Sequence, residues 1–245
     1  MDVVEDAEAG EEETPPCDPF APPETGGDGA DMSLPVPPGE ARAGRLVDAA
    51  DVPRGVKSWA EVGDVLLRNA RVGFVIEGDA GREGFTSNGF NPYGGEVVFA
   101  DLWNEDGPGG ENLFGEVFFT LGIQIVDPDT VTVLNDGSDG SDAVVRVTGA
   151  LKPVPVLAGP LADLLDPFPF RGEMILDYML GGDDEHIRVR ATVRNPSTPT
   201  VPLSAAGSGS PLILLTAESS DSAPPPATRR SNTSTCVSPH AWISI

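Results

Sequence analysis

In Ile187–Arg194 apolar and polar residues take turns without a break. Side chains two apart share a face of an extended strand, so Ile187, Val189, Ala191 and Val193 point inward while Arg188, Arg190, Thr192 and Arg194 face water. Val144–Thr148 repeats the alternation. From Asp64 onward, similar short runs recur between clusters of Gly, Asn, Asp and Pro. The pattern predicts strands over Val65–Arg68, Val72–Ile76, Glu96–Trp103, Glu116–Val126, Val131–Leu134, Ala143–Leu151, Met174–Leu180 and Ile187–Arg194. About eight short strands with turn residues between them imply an all-β antiparallel sandwich. The outward arginines of the last run discourage pairing with another chain if that strand is an edge.

Helix signals are sparse. Ser58-Trp-Ala-Glu61 fits a capping box, and Gly63 limits any helix there to a turn or two. Pro160–Asp166 is a second candidate, with Pro at its first turn and Pro167 as its stop. Both read as short connectors on a β domain.

Composition divides the chain into parts. The 245 residues carry 39 Asp plus Glu against 15 Lys plus Arg, a formal net charge of −24. Residues 1–39 hold acids and no base, with many prolines, so they cannot bury enough surface to offset their ordering entropy. Residues 1–55 are therefore expected as an acidic, Pro/Gly-rich, disordered lead-in, 56–200 as the sandwich, and 201–245 as a low-complexity tail. Arg outnumbers Lys, which is present only as Lys57 and Lys152, as in a GC-rich gene. A shifted reading frame beyond about Val201 is the alternative account of the Ser- and Pro-rich tail. The acidity excludes a nucleic-acid partner, whose phosphates are bound by clustered Lys and Arg. No run of about 18 apolar residues is present, so no transmembrane segment is expected. Cys17 and Cys236 both fall in the predicted disordered ends, which indicates neither a disulfide nor a catalytic thiol.

Three stretches offer candidate chemistry. The loop Leu134–Asp142 supplies Asp136, Asp139 and Asp142, with Asn135, as oxygen ligands of the kind calcium takes. Its spacing is not that of an EF-hand, and Asn, Asp, Gly and Ser are also ordinary turn formers, so a hairpin loop is the preferred account. Gly181–His186 is expected as a polar turn. His186 is the one histidine between residues 40 and 200, so no His-rich metal site or Ser-His-Asp triad can be assembled there. In Phe85–Gly95 and just beyond it, Phe90, Tyr93 and Trp103 suit a stacking platform for a sugar ring, aided by Asn88 and Asn91. Aromatics near turns also plug the ends of sandwiches, which is the preferred reading. No cofactor is expected, calcium being the one candidate.

Several phrases occur together: Gly63–Asn69 with Arg71–Ile76, Asn91–Gly95, Asn135–Gly140 with Ala143–Gly149, and Asp177–Leu180. Over about residues 60–200 this resembles the β-rich N-terminal module of large secreted or lipid-anchored bacterial proteins. In some of those it precedes a PHP-type metal-dependent hydrolase domain. The arrangement also resembles β-supersandwich domains of the galactose-mutarotase kind. The histidines and aspartates of a PHP site are not present, so the resemblance implies a non-catalytic module for binding or spacing, with a glycan or protein ligand. A carbohydrate-active domain of the mutarotase or lyase kind is the alternative. The resemblance also implies export, yet Met1–Asp6 has no basic or apolar leader and Pro15-Pro-Cys17 is no lipobox. An extracellular or cell-envelope location is expected if the start lies upstream, and a cytoplasmic one otherwise.

Overall fold

The computed structural model describes residues 27–79, 83, 86–89, 91–105, 107–109, 114–121, 124–154 and 172–194, with the backbone of Ala241–Ser244. The protein is all-β, built from two antiparallel sheets packed as a sandwich. The first sheet contains β1 (Ala41–Arg45), β2 (Val65–Asn69), β3 (Val72–Ile76), β4 (Val97–Asn104) and β5 (Gly107–Pro108), in that order. The second runs β11 (Ala241–Ser244), β10 (Arg188–Arg194), β9 (Glu173–Leu180), β8 (Ala143–Pro153), β7 (Gln124–Asn135) and β6 (Thr120–Leu121).

One apolar core fills the space between the sheets. Val65, Leu67, Phe74 and Ile76 of the first meet Val145, Val147, Leu176, Tyr178 and Val189 of the second. The first sheet has a second, smaller core on its other face, where Leu66, Val75, Val98 and Phe99 pack with Met32 and Leu46. This is why β2 and β3 are buried at every position. Both faces of these strands are covered, so they read as continuous apolar runs rather than alternating ones. A register shift opposite Val75 and Ile76 places both Val98 and Phe99 in the outer core. On that face Trp103 stacks over Gly73, where a Cβ would come within 2.4 Å of its ring, and the Arg68 guanidinium lies 4.9 Å from the ring centre.

Several expectations need correction. Disorder was expected through residue 55, but β1 pairs with β2 along its whole length, with Ala41 and Ala43 buried. Small side chains gave β1 little apolar signal, and its acidic neighbourhood masked it. Val131–Leu134 is not a separate strand; it continues β7 through Asp127 and Pro128. The proline is tolerated because the β7–β8 register shifts between Pro128 and Thr130. The predicted Glu116–Val126 strand is interrupted: Val117 makes an isolated bridge to Val97, and β6 turns back onto β7. The capping box does not form. Ser58 donates to the Pro53 carbonyl instead, and the Glu61 amide donates to Asp64. Among the described residues there is no helix, and so none long and apolar enough to cross a membrane. The Pro160–Asp166 candidate lies outside the described residues, as do Cys17 and Cys236. Ala241–Ser244, within the predicted low-complexity tail, pairs antiparallel with Arg188–Ala191.

Candidate functional site

The most unusual chemistry lies where β3 ends and β4 begins. The Glu77 amide donates to the Glu96 carbonyl at 2.8 Å, so the two side chains emerge at the same end of the first sheet. Each is 1% exposed. Their carboxyl groups hydrogen-bond each other. The turn joining the strands closes over them. Ser87 donates its hydroxyl to Glu77 Oε2 at 2.8 Å, and the Asn88 amide donates to Glu77 Oε1 at 2.7 Å. Asn91 donates Nδ2 to Glu96 Oε2 at 3.2 Å and its amide to Glu116 Oε1 at 3.2 Å. Tyr93 donates its amide back to Asn91 Oδ1 at 3.0 Å. Gly94 and Gly95 follow with φ of 85° and 78°, left-handed conformations that glycine adopts without cost. A Cβ on Gly95 would lie 2.8 Å from both Pro128 and Val147.

Beneath the turn is a small hollow lined by Asn91, Gly95, Glu96, Phe119, Leu176 and Tyr178. Tyr178 is fully buried and donates its hydroxyl to the Gly95 carbonyl at 2.9 Å. Burial, reinforced by the Glu96 charge, pushes that phenol well above its usual range. Burial also raises both glutamates; the Glu77 charge raises Glu96 further, to about 10, while the contact with Glu96 acts on Glu77 in the lowering direction. Asp64, 2% exposed, lies nearby in the same acidic region. Its two oxygens accept from Gly78 N at 2.9 Å and Glu61 N at 2.8 Å, and burial pushes it up to about 7. Three buried carboxyls, each raised above its ordinary range chiefly by burial, thus share this end of the sandwich.

A second buried acid is neutralised differently. Asp177 of β9, 1% exposed, stands between Arg146 of β8 and Arg190 of β10. Arg146 Nε donates to Oδ1 at 2.6 Å, and Arg190 Nη2 donates to Oδ2 at 2.6 Å. Two guanidinium forks hold one carboxylate in place.

The candidates from sequence take other positions. Asp136, Asp139 and Asp142 lie on the β7–β8 loop as expected. Asp136 Oδ1 accepts from Ser138 N and Asp139 Oδ1 from Ser141 N, each a local turn bond. Asp142 turns away to Arg188, which donates Nη2 at 2.8 Å. Among the described residues no group of three or more His, Cys, Asp or Glu is arranged to hold a metal. The Gly181–His186 turn closes through Asp184, which accepts from Gly181 N at 2.9 Å. Tyr93 faces Lys152, whose ammonium is 5.7 Å from the ring centre, while Trp103 packs in the outer core. Those two aromatics are thus engaged in separate contacts, and Phe90 lies outside the described residues.

Sequence reasoning missed Glu77, Glu96 and Asp64. The available signal was position: an acid directly abutting an apolar strand run at either side of a Gly/Asn/Pro turn. No protein-family model, no curated protein and no solved structure matches the chain.

Proposed function

We propose that this is a non-catalytic β module, extracellular or of the cell envelope, that binds a protein partner through the loop over residues 47–62. The observation that supports this reading is how the loop is held and what it displays. Leu46 N donates to the Asp64 carbonyl at 2.8 Å and Gly63 N donates to the Leu46 carbonyl at 2.8 Å, so its two ends are pinned together. Between them Val47 is 73% exposed, Val56 77%, Trp59 39% and Val62 44%. Ala60 and Val52 of the same loop pack into the outer core and anchor it to the first sheet. A closed loop with apolar residues outward on a rigid scaffold is a common binding device. Three of these four are valines, the most exposed among them, and side chains with no hydrogen-bonding group suit the apolar centre of a protein interface better than a sugar. The resemblance of residues 60–200 to envelope modules agrees with this role.

The test is a screen of the full chain against isolated envelope proteins and a glycan array, with released products monitored. Saturable binding to one envelope protein is expected, without turnover. The double substitution Val47→Asp and Val56→Asp should weaken it by about tenfold or more, with an unchanged melting temperature. Glycan turnover that survives the double substitution would establish the carbohydrate-active alternative instead.

A further inference from the structure

We propose that Arg68 is the point at which the outer face of the first sheet takes a carboxylate from a protein partner, a refinement that rests on the reading of the 47–62 loop as an interface. Arg68 is 6% exposed, and a guanidinium stays charged in proteins. Among the described residues no carboxylate pairs with it, and its one hydrogen bond runs from Nη2 to the Leu34 carbonyl at 2.7 Å. Half-buried arginines fare otherwise: Arg45, Arg146, Arg188 and Arg190 each have a carboxylate oxygen within 3.1 Å. A chain with 39 acids has thus left a buried guanidinium without one. A buried charge with no partner is costly, and an anion brought by a ligand offsets that cost.

The surroundings hold the guanidinium in place and leave its outer end open. Trp103 fills the space over Gly73 and presents its ring to Arg68, 4.9 Å from the ring centre. Of the nitrogens without an acceptor, Nε is enclosed and Nη1 is not. The Nη1–Nη2 end of the fork is therefore the accessible one, and its two nitrogens match the two oxygens of a carboxylate. Apolar surface flanks it. Leu34, whose carbonyl holds Nη2, is 59% exposed, and Trp103 packs on the same outer core as Val52 and Ala60 of the loop. Arg68 and the loop thus share one face of the sheet, where a partner covering the exposed valines reaches Arg68 with one acidic side chain. A carboxylate suits a chain of net charge −24 better than a phosphate, which brings more negative charge against it.

NMR on the full chain tests the site itself, reading the Arg68 Nε–H and Trp103 indole signals against sodium hexanoate, hexanamide and sodium chloride. Hexanoate should shift both signals saturably, with half-saturation at about 10 mM, while the neutral amide and equal chloride should not. In Arg68→Gln the Trp103 shift should need at least about tenfold more hexanoate. Leu34→Glu, which sets a carboxylate at an exposed position beside the fork, should do the same and serves if Arg68→Gln does not fold. With the envelope protein found by the binding screen, Arg68→Gln should weaken affinity by about tenfold. No response to hexanoate, or an equal one to hexanamide, overturns the proposal and leaves the loop reading untouched. Partner binding that Val47→Asp with Val56→Asp weakens but Arg68→Gln does not overturns it as well, while the loop reading stands. Weakening by Arg68→Gln alone keeps the carboxylate site and removes the loop from the interface.

Discussion

Asp177 on β9 and Glu96 at the head of β4 are each 1% exposed, yet they are neutralised in opposite ways. Asp177 keeps its charge company with Arg146 and Arg190, supplied by the strands on either side. Glu96 has Glu77 as its partner, and a proton does the neutralising. The register explains the first case. Arg146, Asp177 and Arg190 form one cross-strand row on the outer face of the second sheet, so the pairing register brings them together. At the end of β3 and β4 the opposing residues are both acids, and Ser87, Asn88 and Asn91, which bond them, come from the turn. Charge compensated by neighbouring strands should not depend on pH, whereas charge removed by protonation should.

The largest effect is expected at the arginine-paired acid. Asp177→Ala leaves two guanidiniums without their carboxylate, with side-chain exposures of 18% and 17%. Breaking a buried pair on one side costs about 3 kcal/mol or more. Urea unfolding should register that loss equally at about pH 5 and about pH 8. A deficit that vanished at either pH would break the distinction between the two kinds of neutralisation.

The next effect belongs to the proton-neutralised acids. Asp64 is protonated in the fold up to about 7, while the unfolded chain ionises it near the usual value of 3.8. The folded value is raised, so its contribution is fully present in acid and is lost as pH climbs from about 4 through about 7. Glu77 and Glu96, raised in the same direction, deepen the loss. Unfolding free energy should therefore be about 2 kcal/mol lower at about pH 8 than at about pH 5. A protein more stable at the higher pH would show these carboxyls ionised in the fold.

The two acids also differ in how legible they were. The face of β10 that carries Arg188, Arg190 and Arg194 followed from strict alternation in Ile187–Arg194, since a period of two is a local property. Asp177 sits in an apolar run, Met174–Leu180, whose inner face is equally apolar, and only the β8–β9–β10 register shows which arginines meet it. The same limit applies to β1. Ala41 and Ala43 are buried because β2 covers them and the β7–β8 loop reaches them, the Ala43 amide donating to the Asp136 carbonyl at 3.1 Å. Neither partner is near in sequence. Glu77 and Glu96 stood beside apolar runs that were recognised, yet acids at strand ends are usually solvated. Their burial depends on Ser87, Asn88 and Asn91 folding back over them, which no periodicity encodes. Phe90, Tyr93, Asn88 and Asn91 read from the sequence as a sugar platform, whereas in the fold Asn88 and Asn91 bond the buried glutamates and Gly94 and Gly95 turn the chain.

The smallest effect is expected in the loop that looked most chemical. Asp139 is exposed, and its carboxylate is held below its usual range by the Ser141 hydroxyl and amide. Those bonds are local to a turn that also has Gly140 N donating to the Gly137 carbonyl. Asp139→Ala should therefore change stability by no more than about 0.5 kcal/mol, the range of ordinary surface substitutions. Calcium sharpens the contrast. A site with an affinity of about 1 mM would add about 1.4 kcal/mol at tenfold excess metal, several degrees in melting temperature. The loop carboxylates already have oxygens committed to their own backbone and to Arg188. Melting in about 10 mM calcium should move by less than about 1 °C, with no difference between wild type and Asp139→Ala. A shift of several degrees that Asp139→Ala removes would restore this loop as a metal site, and would add a third way in which the chain neutralises its acids.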